Sequence, residues 1–238
     1  MTEVVVTTVL PVFNDVEALK TAIPKSIEAL EAYGKSFEVI VAEDGSTDGS
    51  RECVEEWEKK DPRVRLLHSD ERQGRGRALN RALAESRGEI FCYYDVDLAT
   101  DIKHLSELLG HIEDGADVAT GSRLMKDSNI VRSGDREIAS RGYNFLVRLL
   151  LGSKLNDHQC GFKAYRTEVL KKLVPKIQAP HWFWDTESLV LAQKYGLRVD
   201  EFAVIWTQGP GTTVRFKDVT GMGKDILRMW WRLHVEKS

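Results

Sequence analysis

Apolar residues fall along the chain in short runs separated by longer amphipathic stretches. Val4 to Leu10 is an almost unbroken β-branched run, the pattern of a buried parallel strand. It runs into Pro11-Val12-Phe13-Asn14-Asp15, read as a turn opening a helix with Leu19, Ile23, Ile27 and Leu30 on one face. Pro24 is expected to kink or restart that helix. Phe37 to Ala42 predicts a second strand, ending in Glu43-Asp44-Gly45-Ser46-Thr47-Asp48-Gly49. Asp48 or Ser46 then caps a helix up to about Lys60. Val64 to His68 reads as a third strand, Ser69 to Gly76 as a polar loop, and Ala78, Leu79, Ala82 and Leu83 as a helix face. Ile90 to Tyr94 is the next strand, followed by a helix near Ile102–Ile112 and a strand from Asp117 to Gly121.

The second half is less regular. Asp135 to Leu151 reads as a helix, and Asn156 to Tyr165 as a loop entering a strand. His181-Trp182-Phe183-Trp184-Asp185-Thr186-Glu187 opens another helix, closed near Tyr195-Gly196 by a glycine suited to a C-cap. Val199 to Trp206 predicts a strand, Gly209 to Thr213 a glycine-rich loop, and a last helix starts near Asp218. Strands alternating with helices argue for parallel βαβ units and an α/β fold, with ligands bound beyond the carboxyl ends of the strands. Pro11–Asp15, Glu43–Asp48 and Asp95–Asp97 all fall at such ends.

Composition narrows the class. A chain of 238 residues suits one large α/β domain or two small ones, and its 42% hydrophobic share is enough for a sizeable core. Its formal net charge of −3 gives no reason to expect a nucleic-acid partner. The three cysteines have neither metal-ligand spacing nor an even framework, which reads as reduced thiols in an intracellular setting. No run approaches the ~20 apolar residues that span a bilayer, and the N-terminus has no basic leader region.

The sharpest chemistry lies at the end of the Ile90–Tyr94 strand. Asp95 and Asp97 are two residues apart, so an extended backbone points both carboxylates the same way. Two such groups repel unless a cation lies between them or one is protonated. Oxygen-only ligation suits Mg²⁺ or Mn²⁺ with a diphosphate. The bland alternative is a solvated strand end.

Taken in order, Pro11-Val12-Phe13-Asn14-Asp15, Glu43-Asp44-Gly45-Ser46-Thr47-Asp48, Asp95-Val96-Asp97, Gly121-Ser122-Arg123 and Gln159-Cys160-Gly161-Phe162-Lys163 resemble the inverting family-2 glycosyltransferases of the GT-A fold. Within that family the chain is most similar to dolichyl- or polyprenyl-phosphate sugar synthases, and to the glucosyl branch more than the mannosyl one. The Gln-x-x-Arg-Trp motif of processive synthases is absent, which favours single transfer. One departure is Ala99, where the mannosyl branch often carries a Gln ligand.

The resemblance implies one GT-A domain over 1–238. Its parts are a nucleotide-sugar half (1–122), an acceptor half (123–217) and a C-terminal amphipathic helix (218–238). It implies that Pro11, Phe13, Asp15, Ala42 and Asp44 shape the base and ribose pocket. Phe13 reads equally as core packing, and Asp44 as an Asx turn. Asp95 and Asp97, with Val96 between them, would hold Mg²⁺ or Mn²⁺ against the diphosphate. Arg123 and Arg215 would grip phosphates. Asp157 is the foremost catalytic candidate, with Asp97 acting through the metal. Asp185 and Glu187 are further candidates, each also readable as a helix-start acid. The basic loop Arg72–Arg77 either contacts the diphosphate or is a solvated turn.

The implied reaction moves a hexose from UDP-glucose or GDP-mannose to a lipid phosphate. A soluble acceptor, or a non-catalytic nucleotide-sugar-binding partner of a membrane subunit, is the alternative. Ile226, Leu227, Trp230, Trp231 and Leu233 interleave with Lys224, Arg228 and Arg232, which suits either a helix lying on a membrane surface or one covering the core. The resemblance thus places the chain peripherally on the cytoplasmic face of a membrane, alone or with a membrane-protein partner.

Overall fold

The computed structural model describes residues 4–131, 134–207 and 216–236. A mixed seven-stranded sheet runs through it in the order β3 (Val64–Leu67), β2 (Phe37–Glu43), β1 (Val6–Val12), β4 (Ile90–Tyr94), β7 (Phe162–Arg166), β5 (Val118–Ser122) and β8 (Val199–Ala203). β3, β2, β1 and β4 are mutually parallel, β7 is antiparallel to both β4 and β5, and β8 is parallel to β5. A short parallel pair, β6 (Asn129–Val131) with β9 (Ile205–Thr207), lies outside this sheet.

The unbroken apolar strands are buried on both faces, and alternation divides their side chains between two cores. Cys92 and Tyr94 join Val39, Val41 and Phe162 under α1 (Val16–Tyr33), α2 (Ser50–Lys60) and α4 (Leu105–Glu113). Phe91 and Tyr93 point the other way, with Val9, Ile40 and Tyr165. That second core lies under α3 (Arg75–Glu85), α5 (Gly134–Leu151), α6 (Thr167–Leu173), α7 (Phe183–Lys194) and α8 (Phe216–His234). α7 is buried from Phe183 through Ala192, polar residues included.

Several details differ from the sequence reading. β1 continues through Pro11 to Val12. Its pairing with β4 stops at Val9, so Pro11 lies where the strand has a neighbour on one side only, in register with Ala42. α1 is continuous through Pro24 across 18 residues. Gly49, not Asp48 or Ser46, occupies the N-cap of α2. Asp48 instead accepts from Val16 N (2.9 Å) and Ser50 N (3.0 Å), lacing the β2–α2 turn to the start of α1. The run from Val199 to Trp206 breaks at Val204, where the chain leaves the main sheet to pair with β6.

The reversed strand matters most for function. Because β7 is antiparallel, its N-terminal end lies at the rim formed by the carboxyl ends of β1, β2 and β4. The 157–161 loop is thereby brought against Asp95.

Candidate active site

Three loops build the rim. After β1, Asp15 caps α1, its Oδ1 accepting from Ala18 N. Asn14 and the β2 loop hold each other: Asn14 N donates to Ser46 Oγ (2.9 Å) and Thr47 N donates to Asn14 Oδ1 (2.8 Å). Asp44 accepts from Gln73 N (3.1 Å) and Gly74 N (2.8 Å), so it fixes the β3–α3 loop. That loop lies so close that a Cβ on Gly45, whose φ is +79°, would meet Arg72 N at 2.7 Å. The Arg72 guanidinium lies 4.0 Å from the centroid of the half-buried Phe13 ring. Pro11 is half-buried beside this pocket wall, whereas Ala42 is wholly buried beneath it.

Asp95 and Asp97 stand at the end of β4. Asp95 is 43% exposed, and Val96 between the two is buried. Asp97 is exposed, and one of its oxygens accepts from Ala99 N at 3.0 Å. Partial desolvation and then the Asp95 charge hold the Asp97 carboxyl above the usual carboxylate range, with Asp15 adding to the repulsion. Opposite stands Gly161, whose carbonyl accepts from Asp95 N at 3.1 Å. A Cβ there would lie 2.1 Å from Asp95 Oδ2, so only glycine leaves that oxygen its place.

Behind these carboxylates runs a buried charge network. Arg75 donates to Asp95 Oδ1 at 2.6 Å and to Asp185 Oδ2 at 2.5 Å. Asp185 is also held by the Tyr93 hydroxyl (2.6 Å) and by the wholly buried Lys163 ammonium (3.0 Å). Burial alone would raise the Asp185 pKa; Arg75 and Lys163 override it and hold it below the usual range. A second pair lies across the rim. Asp157, fully buried, accepts from Arg123 Nε (2.7 Å), Nη2 (3.0 Å) and backbone N (3.0 Å). Here too burial opposes ionisation, yet Arg123 holds the Asp157 carboxyl far below its ordinary value.

The structure therefore brings together Pro11, Phe13, Asp15, Asp44, Asp95, Asp97, Arg123, Asp157 and Asp185. Asp157 is locked in an ion pair with Arg123, and Asp185 in ion pairs with Arg75 and Lys163. Glu187 is buried as well, pairing with Arg232 of α8 and accepting from Ala179 N at 2.8 Å. Arg215 lies outside the described residues. Arg75 and Lys163 emerge as site residues that the sequence reading met only as parts of a basic loop and a motif. No cluster of three His, Cys, Asp or Glu suited to a metal occurs among the described residues. The mutually repelling Asp95–Asp97 pair nonetheless fits a divalent cation whose remaining ligands are substrate or water oxygens.

A mostly parallel sheet with acidic and glycine-rich turns at its carboxyl rim defines a GT-A type protein, and known structures agree. Glucosyl-3-phosphoglycerate synthase from Mycobacterium tuberculosis, solved with UDP, superposes with a TM-score of 0.68 over 95% of this chain and 79% of that one, at 20% identity. The mannosyltransferase PcManGT from Pyrobaculum calidifontis, solved with GDP-Man and Mn²⁺, gives 0.60 over 98% and 64%, at 16% identity. The chain belongs to glycosyl transferase family 2, whose model matches residues 7–174. It is 47% identical to glycosyltransferase AglD of Haloferax volcanii over 97% of its own length, spanning 38% of that protein. It is 31% identical to a dolichyl-phosphate β-glucosyltransferase of Dictyostelium discoideum, covering 94% of this chain and 73% of the relative.

Proposed function

We propose that this chain transfers a hexose, with inversion, from a nucleotide sugar to a polyprenyl or dolichyl phosphate in the presence of Mg²⁺ or Mn²⁺. UDP-glucose is the first donor and GDP-mannose the second. The observation that carries the reading is the Asp95–Asp97 pair beside Gly161, in a chain similar along nearly its whole length to a dolichyl-phosphate β-glucosyltransferase. Asp95 and Asp97 would hold the cation, which when bound offsets charge on the departing diphosphate. Phe13 and Arg72 offer a flat cationic and aromatic wall for the base, and Asp44 fixes the loop that carries Arg72. Arg123, set by Asp157, presents a guanidinium fork toward phosphate oxygens.

A lipid phosphate suits a site whose buried aspartates are tied to cations. Its second pKa is about 6, so at neutral pH it is already ionised and attacks without a strong base. The outer surface of α5 and α8 adds support. Ile138, Phe145, Leu146 and Leu149 of α5 and Leu227 and Trp231 of α8 are exposed, and α5 packs against α8. Arg141, Arg148, Lys224 and Arg228 lie on the same two helices, a combination suited to a membrane surface. No helix among the described residues is long and apolar enough to cross a membrane.

The test is a donor screen with short polyprenyl phosphate, Mn²⁺ or Mg²⁺, and UDP-glucose, GDP-mannose or UDP-N-acetylglucosamine. Lipid-linked hexose with one donor, lost on EDTA and in Asp97→Ala, is the expected result. Nucleotide release only with a soluble acceptor would transfer the assignment to that class. Nucleotide binding without any turnover would reduce the chain to a binding module.

A further inference from the structure

Arg75 sits where a metal-dependent site would be expected to leave room for the metal. It emerges from the first turn of α3 with its side chain only 10% exposed, and its two terminal nitrogens grip different acids: Asp95 on the rim and Asp185 on the buried helix α7. Tyr93 and Trp182 stack on its guanidinium at 5.2 and 5.5 Å. Asp185 does not depend on Arg75 alone, since Lys163 and Tyr93 also hold it. Asp95 has no other side-chain partner of this kind among its described contacts. The network thus balances two cations, Arg75 and Lys163, against Asp185 and Asp95, with Asp97 in excess.

We infer that Arg75 is an internal counter-ion that competes with the divalent cation for Asp95, keeping the acidic pair assembled without metal and lowering its affinity for free metal. The inference rests on the metal reading of Asp95 and Asp97 given above. Two physical facts favour it. A charge-assisted bond at 2.6 Å to Asp95 Oδ1 removes one lone-pair direction from a potential metal ligand. A fixed guanidinium beside the pair also repels any second cation, and its anchorage to Asp185 hinders it from swinging clear. Ala99 makes the competition sharper, because its side chain offers no further oxygen to tip the balance toward metal. A nucleotide diphosphate supplies both ligands and negative charge, so metal and donor would bind together far better than metal alone. Arg75 would act here as a positioning residue, through Asp95.

The test is direct Mn²⁺ binding, by titration calorimetry and by loss of the free-ion EPR signal, without nucleotide and at fixed ionic strength. Arg75→Gln should bind Mn²⁺ about tenfold more tightly than the parent, the order expected on removing a full charge beside a divalent ion. It should also melt lower than the parent in EDTA and gain more in Tm on adding Mn²⁺. Arg75→Lys, which keeps a cation for Asp185 but lacks the fork to span both acids, should shift in the same direction by less and guards against misfolding of the first variant. A merely structural role for Arg75 predicts the opposite, a looser site that binds Mn²⁺ more weakly. Unchanged or weaker binding in folded variants overturns the inference while leaving the metal reading intact. If the parent and both variants bind no better than Asp97→Ala, the metal reading fails and the inference with it.

Discussion

Asp157 and His158 are neighbours in the chain, both wholly buried, and they occupy opposite protonation regimes. Asp157 stays charged against Arg123. His158 is neutral: Nδ1 lies 2.7 Å from Asn144 Oδ1 and Nε2 2.7 Å from Ser153 Oγ, so the satisfied tautomer donates to Asn144 and accepts from Ser153. Burial lowers its pKa to about 4 from an ordinary 6.5. Between those values the unfolded chain binds the proton and the native one does not, so stability falls as pH drops through that window. The loss approaches about 3 kcal/mol at its lower end, from about 1.4 kcal/mol per unit. Denaturant unfolding at several pH values should show a flatter acid limb for His158→Gln than for the parent. Gly161→Ala should cut transfer about a hundredfold, the cost of an ångström-sized misplacement at a reacting centre, with little change in Tm because the clash is with the end of the Asp95 side chain. Strand alternation is not what sets the acidic pair: β4 stops at Tyr94, and Asp95 and Asp97 lie in a turn that Leu98 N closes onto Asp95 O at 3.1 Å. As two acids at a strand end, the pair was still legible in sequence. Arg75 was not, since its two partners lie 20 and 110 residues away and only the tertiary fold chooses them.

Helices and strands with strong periodicity were readable to within a residue or two: Ile90–Tyr94 coincides with β4, and Asp135–Leu151 differs from α5 by one residue. Strand direction was not readable. The segment entering β7 looks like any other buried run, and nothing local states that it returns antiparallel. The break at Val204 was hidden for a similar reason, because its neighbours on both sides keep strand composition. α8 could be read as a membrane face or as core cover, and the structure gives it an inner and an outer side. Met222, Ile226 and Met229 are buried, while Leu227 and Trp231 are 60% and 54% exposed. The paired change Leu227→Glu and Trp231→Glu should weaken cosedimentation with anionic vesicles about tenfold or more. Tm and turnover on a short, water-soluble acceptor should hold. Unaltered vesicle binding would assign this face to something other than lipid.

Across the molecule, alternation of strands and helices was enough to announce an α/β sheet with its ligands at the carboxyl rim. What it did not announce is the interleaving of the sheet. β5 does not pair with β4, because β7, some 40 residues further along, stands between them. This has a consequence for the chain as it leaves the ribosome. β1 to β4 can assemble as they appear, but the apolar edge of Ile90–Tyr94 stays open until residues 162–166 emerge, and β5 has no seat in the sheet before then. A fragment ending at residue 122 should therefore aggregate or stay unfolded, whereas one reaching past α7 should collapse cooperatively. Proteolysis of stalled nascent chains of increasing length would locate the step. The last strand to reach the middle of the sheet is also the one that carries Gly161 to Asp95, so the acidic pair gains its wall only when the sheet is closed.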